Sequence, residues 1–208
     1  MRLTCPNVRY LSIIETSRGA RMAELLLFHH IQGLTPGVQD LAEDLRADGH
    51  VVHVPDLFDG RVFDSIEEGF DHARTTGFDT LRQRGAAAAD GLGDELVYAG
   101  LSFGVTIAQR LAQTRPGARG AVLLHSCLPV SEFGSSWPES VPVQIHGMAG
   151  DEFFEEDLPA ARELAESHAG AELFVYPGDQ HLFTDRSLEA YDPEAAALVV
   201  QRVRSFLA

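Results

Sequence analysis

Glu95-Leu96-Val97-Tyr98-Ala99-Gly100-Leu101-Ser102-Phe103-Gly104 is an apolar run that ends in a G-x-S-x-G turn. Leu96 to Ala99 read as a buried strand, and Phe103 to Thr114 carry the spacing of a helix. A serine between them stands on a sharp strand-to-helix turn. The flanking glycines leave room for that turn, and the helix start aims backbone N–H groups at the space in front of the hydroxyl. This placement separates the motif from a chance match and makes Ser102 a candidate nucleophile.

Outward from this turn, the chain alternates short apolar runs with helical patterns. Leu25–Phe28 is the first strand. Thr35 and Pro36 then cap and open a helix through Val38, Leu41, Ala42 and Leu45, which Gly49 stops. His50–Val54 is the second strand, ended by Pro55. Two helices are expected over Ser65–Thr75 and Phe78–Ala89. Further strands are expected at Ala121–Leu124, Val143–His146 and Leu173–Tyr176, and helices at Leu158–Ala169 and Ala195–Leu207. The pattern predicts an α/β fold with a mainly parallel sheet of about six or more strands and helices on both faces. Ligands of such sheets bind at the carboxyl ends of the strands, so catalytic residues are expected just after them.

A serine hydroxyl needs a base. Of nine histidines, His181 is the one that follows the last strand, after the turn Pro177-Gly178-Asp179-Gln180. The acid is expected between nucleophile and base in the sequence. Asp151 follows the fifth strand through His146-Gly147-Met148-Ala149-Gly150, and would hold His181 in the right tautomer. The rivals Glu152, Glu155, Glu156, Asp157 and Asp179 read as solvated charges or as acids near a helix N-terminus. Backbone donors for an oxyanion are expected from Phe103 and from the loop His29–Gly33, with Ile31 the candidate there. His30, His125 and Phe183 are candidate pocket residues. No metal site is expected, because the adjacent His29 and His30 point to opposite faces of extended backbone.

With Ser102, Asp151 and His181 in this order, residues 22–208 resemble the dienelactone hydrolase family of α/β hydrolases. Five segments carry the resemblance. They are Leu26 to Gly33 (first strand and oxyanion loop), Leu41 to Leu57 (ending in a "PDL" turn), Ala99 to Gly104, Gly147 to Asp151, and Tyr176 to Phe183 ("YPG-x-x-H-x-F"). The resemblance implies the α/β-hydrolase fold, an ester- or lactone-cleaving activity and no cofactor. The chain departs from the namesake enzymes at three places. Ser102 stands where they use cysteine. His30 stands where they place a glutamate, and Asp185, with Arg186 beside it, where they hold a substrate carboxylate with an arginine. A general small ester or lactone is therefore the expected substrate. The alternatives are a non-catalytic binding protein on the same fold, and an acyltransferase or thioesterase using the same three residues.

The remaining bounds are compositional. The 208 residues suit one domain. A formal net charge of -15 argues against nucleic acid or an anionic membrane as partner. No apolar run approaches the ~18 residues of a membrane span. Two cysteines, Cys5 and Cys127, make no disulfide framework and point to a reducing compartment, the cytoplasm. Residues 1–21 lack the pattern of a signal peptide. They are expected to be peripheral to a single domain over 22–208, in a monomer or small homo-oligomer.

Overall fold

The computed structural model describes residues 22–208. The expectation that residues 1–21 are peripheral lies outside them. The described residues form six strands: β1 (Glu24–Phe28), β2 (Val51–His53), β3 (Leu96–Leu101), β4 (Gly120–Leu124), β5 (Val143–Met148) and β6 (Ala171–Tyr176). Six helices accompany them: α1 (Pro36–Ala47), α2 (Ile66–Thr76), α3 (Phe78–Ala87), α4 (Val105–Thr114), α5 (Glu152–Ser167) and α6 (Pro193–Leu207). The strands pair parallel throughout in the order β2-β1-β3-β4-β5-β6. The chain therefore steps outward from β1 to β2, returns across it, and runs the other way from β3. The crevice where the order reverses lies between the carboxyl ends of β1 and β3, where such sheets bind ligands.

Strand alternation divides the core into two layers. Leu25, Leu27, Val97, Ala99, Val122 and Leu124 face α1 and α6. Their neighbours Leu26, Phe28, Leu96, Tyr98, Ala121 and Leu123 face α2 to α5. Both faces are thus apolar, which is why the strands read as continuous hydrophobic runs rather than as alternating ones. Among the described residues, no helix is long and apolar enough to cross a membrane.

Two elements differ from the sequence reading. Helix α5 begins at Glu152, six positions before the expected Leu158. The start is fixed by Asp151, whose side chain accepts from the Phe153 N–H, and Pro159 lies inside the helix. The helix expected from Phe103 opens as a 3-10 turn over Ser102–Gly104 before α4 takes over.

Phe154 on α5 is fully buried and packs against Gly147 of β5, where no side chain stands between ring and strand. Phe154→Ala leaves that space empty and is expected to cost about 3–5 kcal/mol. Urea denaturation of the two proteins checks this.

Candidate active site

Three loops meet over the crevice, each leaving the carboxyl end of a strand. The first is the turn after β3. Ser102 has a φ of +48°, a left-handed conformation that a non-glycine residue holds only when its surroundings impose it. The imposing contacts are steric. A Cβ on Gly100 would overlap the backbone of Gly104, and one on Gly104 would overlap the carbonyl oxygens of Phe28 and His29. The turn thus folds back on its own strand and presses against the end of β1.

The second loop leaves β5 and places Asp151 at the N-cap of α5. The third follows β6 and carries His181. His181 Nδ1 lies 2.7 Å from Asp151 Oδ2, and its Nε2 lies 2.9 Å from Ser102 Oγ. A carboxylate only accepts, so Nδ1–H donates to Asp151, and Nε2 is left to accept from the Ser102 hydroxyl. Asp151 is fully buried and uses its other oxygen, Oδ1, for the Phe153 N–H at 3.0 Å. The rival acids take no part. Glu152, Glu155, Glu156 and Asp179 are exposed. Asp157 is not a solvated charge as expected. It is partly buried and accepts from Ser126 Oγ at 2.5 Å and the Cys127 N–H at 3.1 Å.

The His181 ring is packed on two sides. Phe153 lies at 4.6 Å between ring centres, and His125 meets it edge-on at 5.7 Å. Phe153 was missed in the sequence, although it follows Asp151 by two positions. His125 itself has a positive φ of +66°, bonds Thr184 Oγ1 through Nε2 at 2.8 Å, and abuts Phe183. Burial, then the neighbouring His181, His30 and His146, hold its pKa well below the usual range, so it stays neutral.

The candidate pocket residues require correction. His30, His125 and Phe183 are each fully buried and present no surface to the crevice. They form the layer beneath it. His30 Nδ1 accepts the Gln32 N–H at 3.2 Å, so its proton is on Nε2, which donates to Asp185 Oδ2 at 2.8 Å. His29 turns the other way. Its Nδ1–H donates to the His30 carbonyl at 2.7 Å and its Nε2 accepts the Leu57 N–H at 3.0 Å. Burial lowers its pKa to about 4. Both imidazoles hold the loop after β1 in place. The amides expected to stabilise an oxyanion belong to that loop and to the elbow. Phe103 lies in the first turn of a helix, where N–H groups lack intrahelical acceptors. The Ile31 amide is not used by its own turn, whose bonds run to His30 from Gln32 and Gly33.

Asp185 is also missed by local sequence reading. It is fully buried and receives the His30 Nε2–H, the Thr35 hydroxyl, the Ser187 N–H at 2.8 Å and the Ser187 hydroxyl at 2.6 Å. Burial raises its pKa, but the hydrogen bonds outweigh this and the net shift is downward. Asp185 therefore ties the loop after β1, the start of α1 and the histidine loop into one unit. Arg186 points away, onto Asp44 at 2.5 Å.

A model of the dienelactone hydrolase family matches residues 12–208. The chain belongs to the dienelactone hydrolase family. It is a hydrolase acting on ester bonds. The match begins within the segment expected to be peripheral. No curated protein matches the chain. Among solved structures, the protein "m3DLH" is 20% identical with a TM-score of 0.69, over 92% of this chain and 88% of that one. A dienelactone hydrolase-like promiscuous phosphotriesterase from metagenomic libraries is 17% identical with a TM-score of 0.68, over 92% and 88%. Thermogutta terrifontis esterase 2 is 18% identical with a TM-score of 0.58, over 90% and 83%. At these identities the likeness establishes the shared α/β-hydrolase fold.

Asp185 has a folded pKa below its unfolded value, so it contributes stability above the ordinary carboxylate pKa of about 3.8 that is lost as pH falls through the folded pKa. Asp185→Asn is expected to lower stability at pH 7 and to flatten the loss of stability between pH 5 and pH 3, read by thermal melts across that range. Burial, then Asp157, pushes the Cys127 thiol up to about 12. Iodoacetamide at pH 8 is expected to leave Cys127 unmodified in the native protein and to label it on unfolding, as read by peptide mapping.

Proposed function

We propose that this family member hydrolyses small carboxylic esters or lactones through an acyl-enzyme on Ser102. The hydrogen-bonded line Ser102–His181–Asp151, at 2.9 and 2.7 Å on a strained elbow, carries the reading. His181 Nε2 takes the hydroxyl proton as Ser102 Oγ attacks the ester carbonyl. The tetrahedral oxyanion accepts from the amides of Phe103 and Ile31. Asp151 stabilises the imidazolium, which returns its proton to the leaving alcohol. Water then adds to the acyl-enzyme with His181 as base, and collapse of the second tetrahedral species frees the acid and Ser102. No residue in this sequence of steps calls for a metal or cofactor.

Three further features support this reading over the thiol chemistry of the namesake enzymes. Cys127 is buried with a raised pKa and lies outside the elbow. Ser102 occupies the position where those enzymes have their nucleophile. His30, where they place a glutamate, is bound to Asp185 rather than directed at Ser102. The two cysteines in the sequence accord with a reducing compartment such as the cytoplasm, and the protein is proposed to act there as a monomer or small homo-oligomer.

A fluorophosphonate probe is expected to add one adduct to the native protein and none to Ser102→Ala, by intact mass. His181→Ala is expected to lower kcat on a short-chain ester by about 10^4-fold or more. An unlabelled native protein, or a His181→Ala enzyme with full turnover, would refute the assignment.

A further inference from the structure

His181 stands in the wall of a cleft of about 590 Å³. One side is built from the strip after β2. Val62 bridges Gly33, the Phe63 N–H donates to the Gln32 carbonyl at 2.9 Å, and Gln32 Nε2 donates to the Phe63 carbonyl at 3.1 Å. The strip is thereby clamped to the loop that carries Ile31. The opposite side is the segment from Ser187 to Ala190. Phe63, Val62, Ile66 and Leu188 make much of the lining apolar.

The charges in this lining are of one sign. Among the described residues, Asp64 and Glu189 are its carboxylates, and no arginine lines it. Lysine is absent from the whole chain, whose sixteen basic residues are all arginine. Arg186, the cation nearest in sequence to the Ser187–Ala190 wall, is held on α1 by Asp44 and Asp40. Arg61 precedes the strip but is not part of the lining. Its charge is felt by His72 of α2, whose pKa is lowered by burial, then by Arg61 and Arg84.

Two helices also start at this cleft, and a helix N-terminus ordinarily favours an anion. Both are already engaged by the chain's own polar and acidic groups. At α1, Pro36 has no N–H, the Gly37 N–H donates to Ser187 Oγ at 3.2 Å, and the Val38 N–H donates to Thr35 Oγ1 at 3.3 Å. The buried Asp185 carboxylate sits so close that a Cβ on Gly37 would overlap it. At α2, Ser65 Oγ accepts the Glu68 N–H at 3.2 Å and Glu68 Oε2 accepts the Asp64 N–H at 3.3 Å. Glu67 adds a further acid to that first turn. Among the described residues, an incoming carboxylate thus finds no cation lining the cleft, two helix starts engaged by the chain's own groups, and two acidic residues in the wall.

We propose that the cleft selects uncharged esters or lactones and discriminates against substrates that carry a carboxylate. This rests on the Ser102 hydrolase reading and adds the substrate class. The discrimination is electrostatic, because an anion here loses its water without gaining a partner. It separates this chain from relatives that grip a substrate carboxylate with arginine.

The test compares p-nitrophenyl hexanoate with mono-p-nitrophenyl adipate, which differ by a terminal carboxylate, after subtraction of spontaneous hydrolysis. The neutral ester is expected to show kcat/KM about tenfold or more above the anionic one at low salt. The ratio is expected to shrink in about 1 M NaCl, where the screening length falls to ~3 Å. It is also expected to shrink in the double variant Asp64→Arg, Glu189→Arg. These positions are exposed, so the variant tests charge without opening the core. Equal or faster cleavage of the adipate ester by a protein that takes up the phosphonate overturns the proposal alone. A preference for hexanoate that neither salt nor charge reversal moves overturns it too, since the cause would then be shape. Hydrolysis of neither ester, with no phosphonate adduct, overturns the Ser102 reading and this proposal with it.

Discussion

Two atoms cannot share a space, and at Gly104 that rule organises the molecule. The elbow lies so close to the carbonyls of Phe28 and His29 that only hydrogen fits between them. Because β1 and β3 are neighbours at the point where the strand order reverses, this contact brings the loop after one strand against the turn after the other. The positive φ of Ser102 follows from the same crowding. The two further loops that supply Asp151 and His181 then have a fixed point to meet.

The parts of this arrangement that the sequence revealed are those whose signals are local. The strand before Ser102 and the helix after it are contiguous with the motif, and the order of Ser102, Asp151 and His181 follows from one strand after another. Helix starts marked by Thr35 and Ser65 were legible for the same reason, since a cap and its partner are three residues apart. What stayed hidden is non-local. His30 and Asp185 are separated by 155 positions, and nothing near either one announces the other. His30, His125 and Phe183 were candidates for the pocket because they lie in or near loops at that end of the sheet. Position after a strand sets which end of the sheet a residue occupies, but not whether it lies on top of the site or beneath it. The start of α5 was placed late, at Leu158; Asp151, read as the acid, is also its cap.

That pairing also joins two of the departures from the namesake enzymes. A glutamate and an arginine are the family's residues where this chain has His30 and Asp185, and here the two positions touch. The acid has moved to the other partner, and the base opposite it is a neutral imidazole. The hydroxyls of Thr35 and Ser187 and the Ser187 amide make up the remaining donors. A corner that handles external charge in those relatives is, in this chain, closed on itself and buried.

Asp151 serves two masters with its two oxygens, one on the Phe153 amide and one on His181. The backbone that begins α5 and the imidazole of the site therefore share a single carboxyl group. Fraying of that first helical turn frees the carboxyl to rotate, and the ring loses its orienting partner at the same moment. The acid cannot drift to a neighbouring position in evolution unless a new cap arises with it. Glu152 and Glu155 stand one and four positions inside the helix rather than at its cap, and both are exposed, so neither can replace a carboxyl that closes the helix start and meets the ring at once.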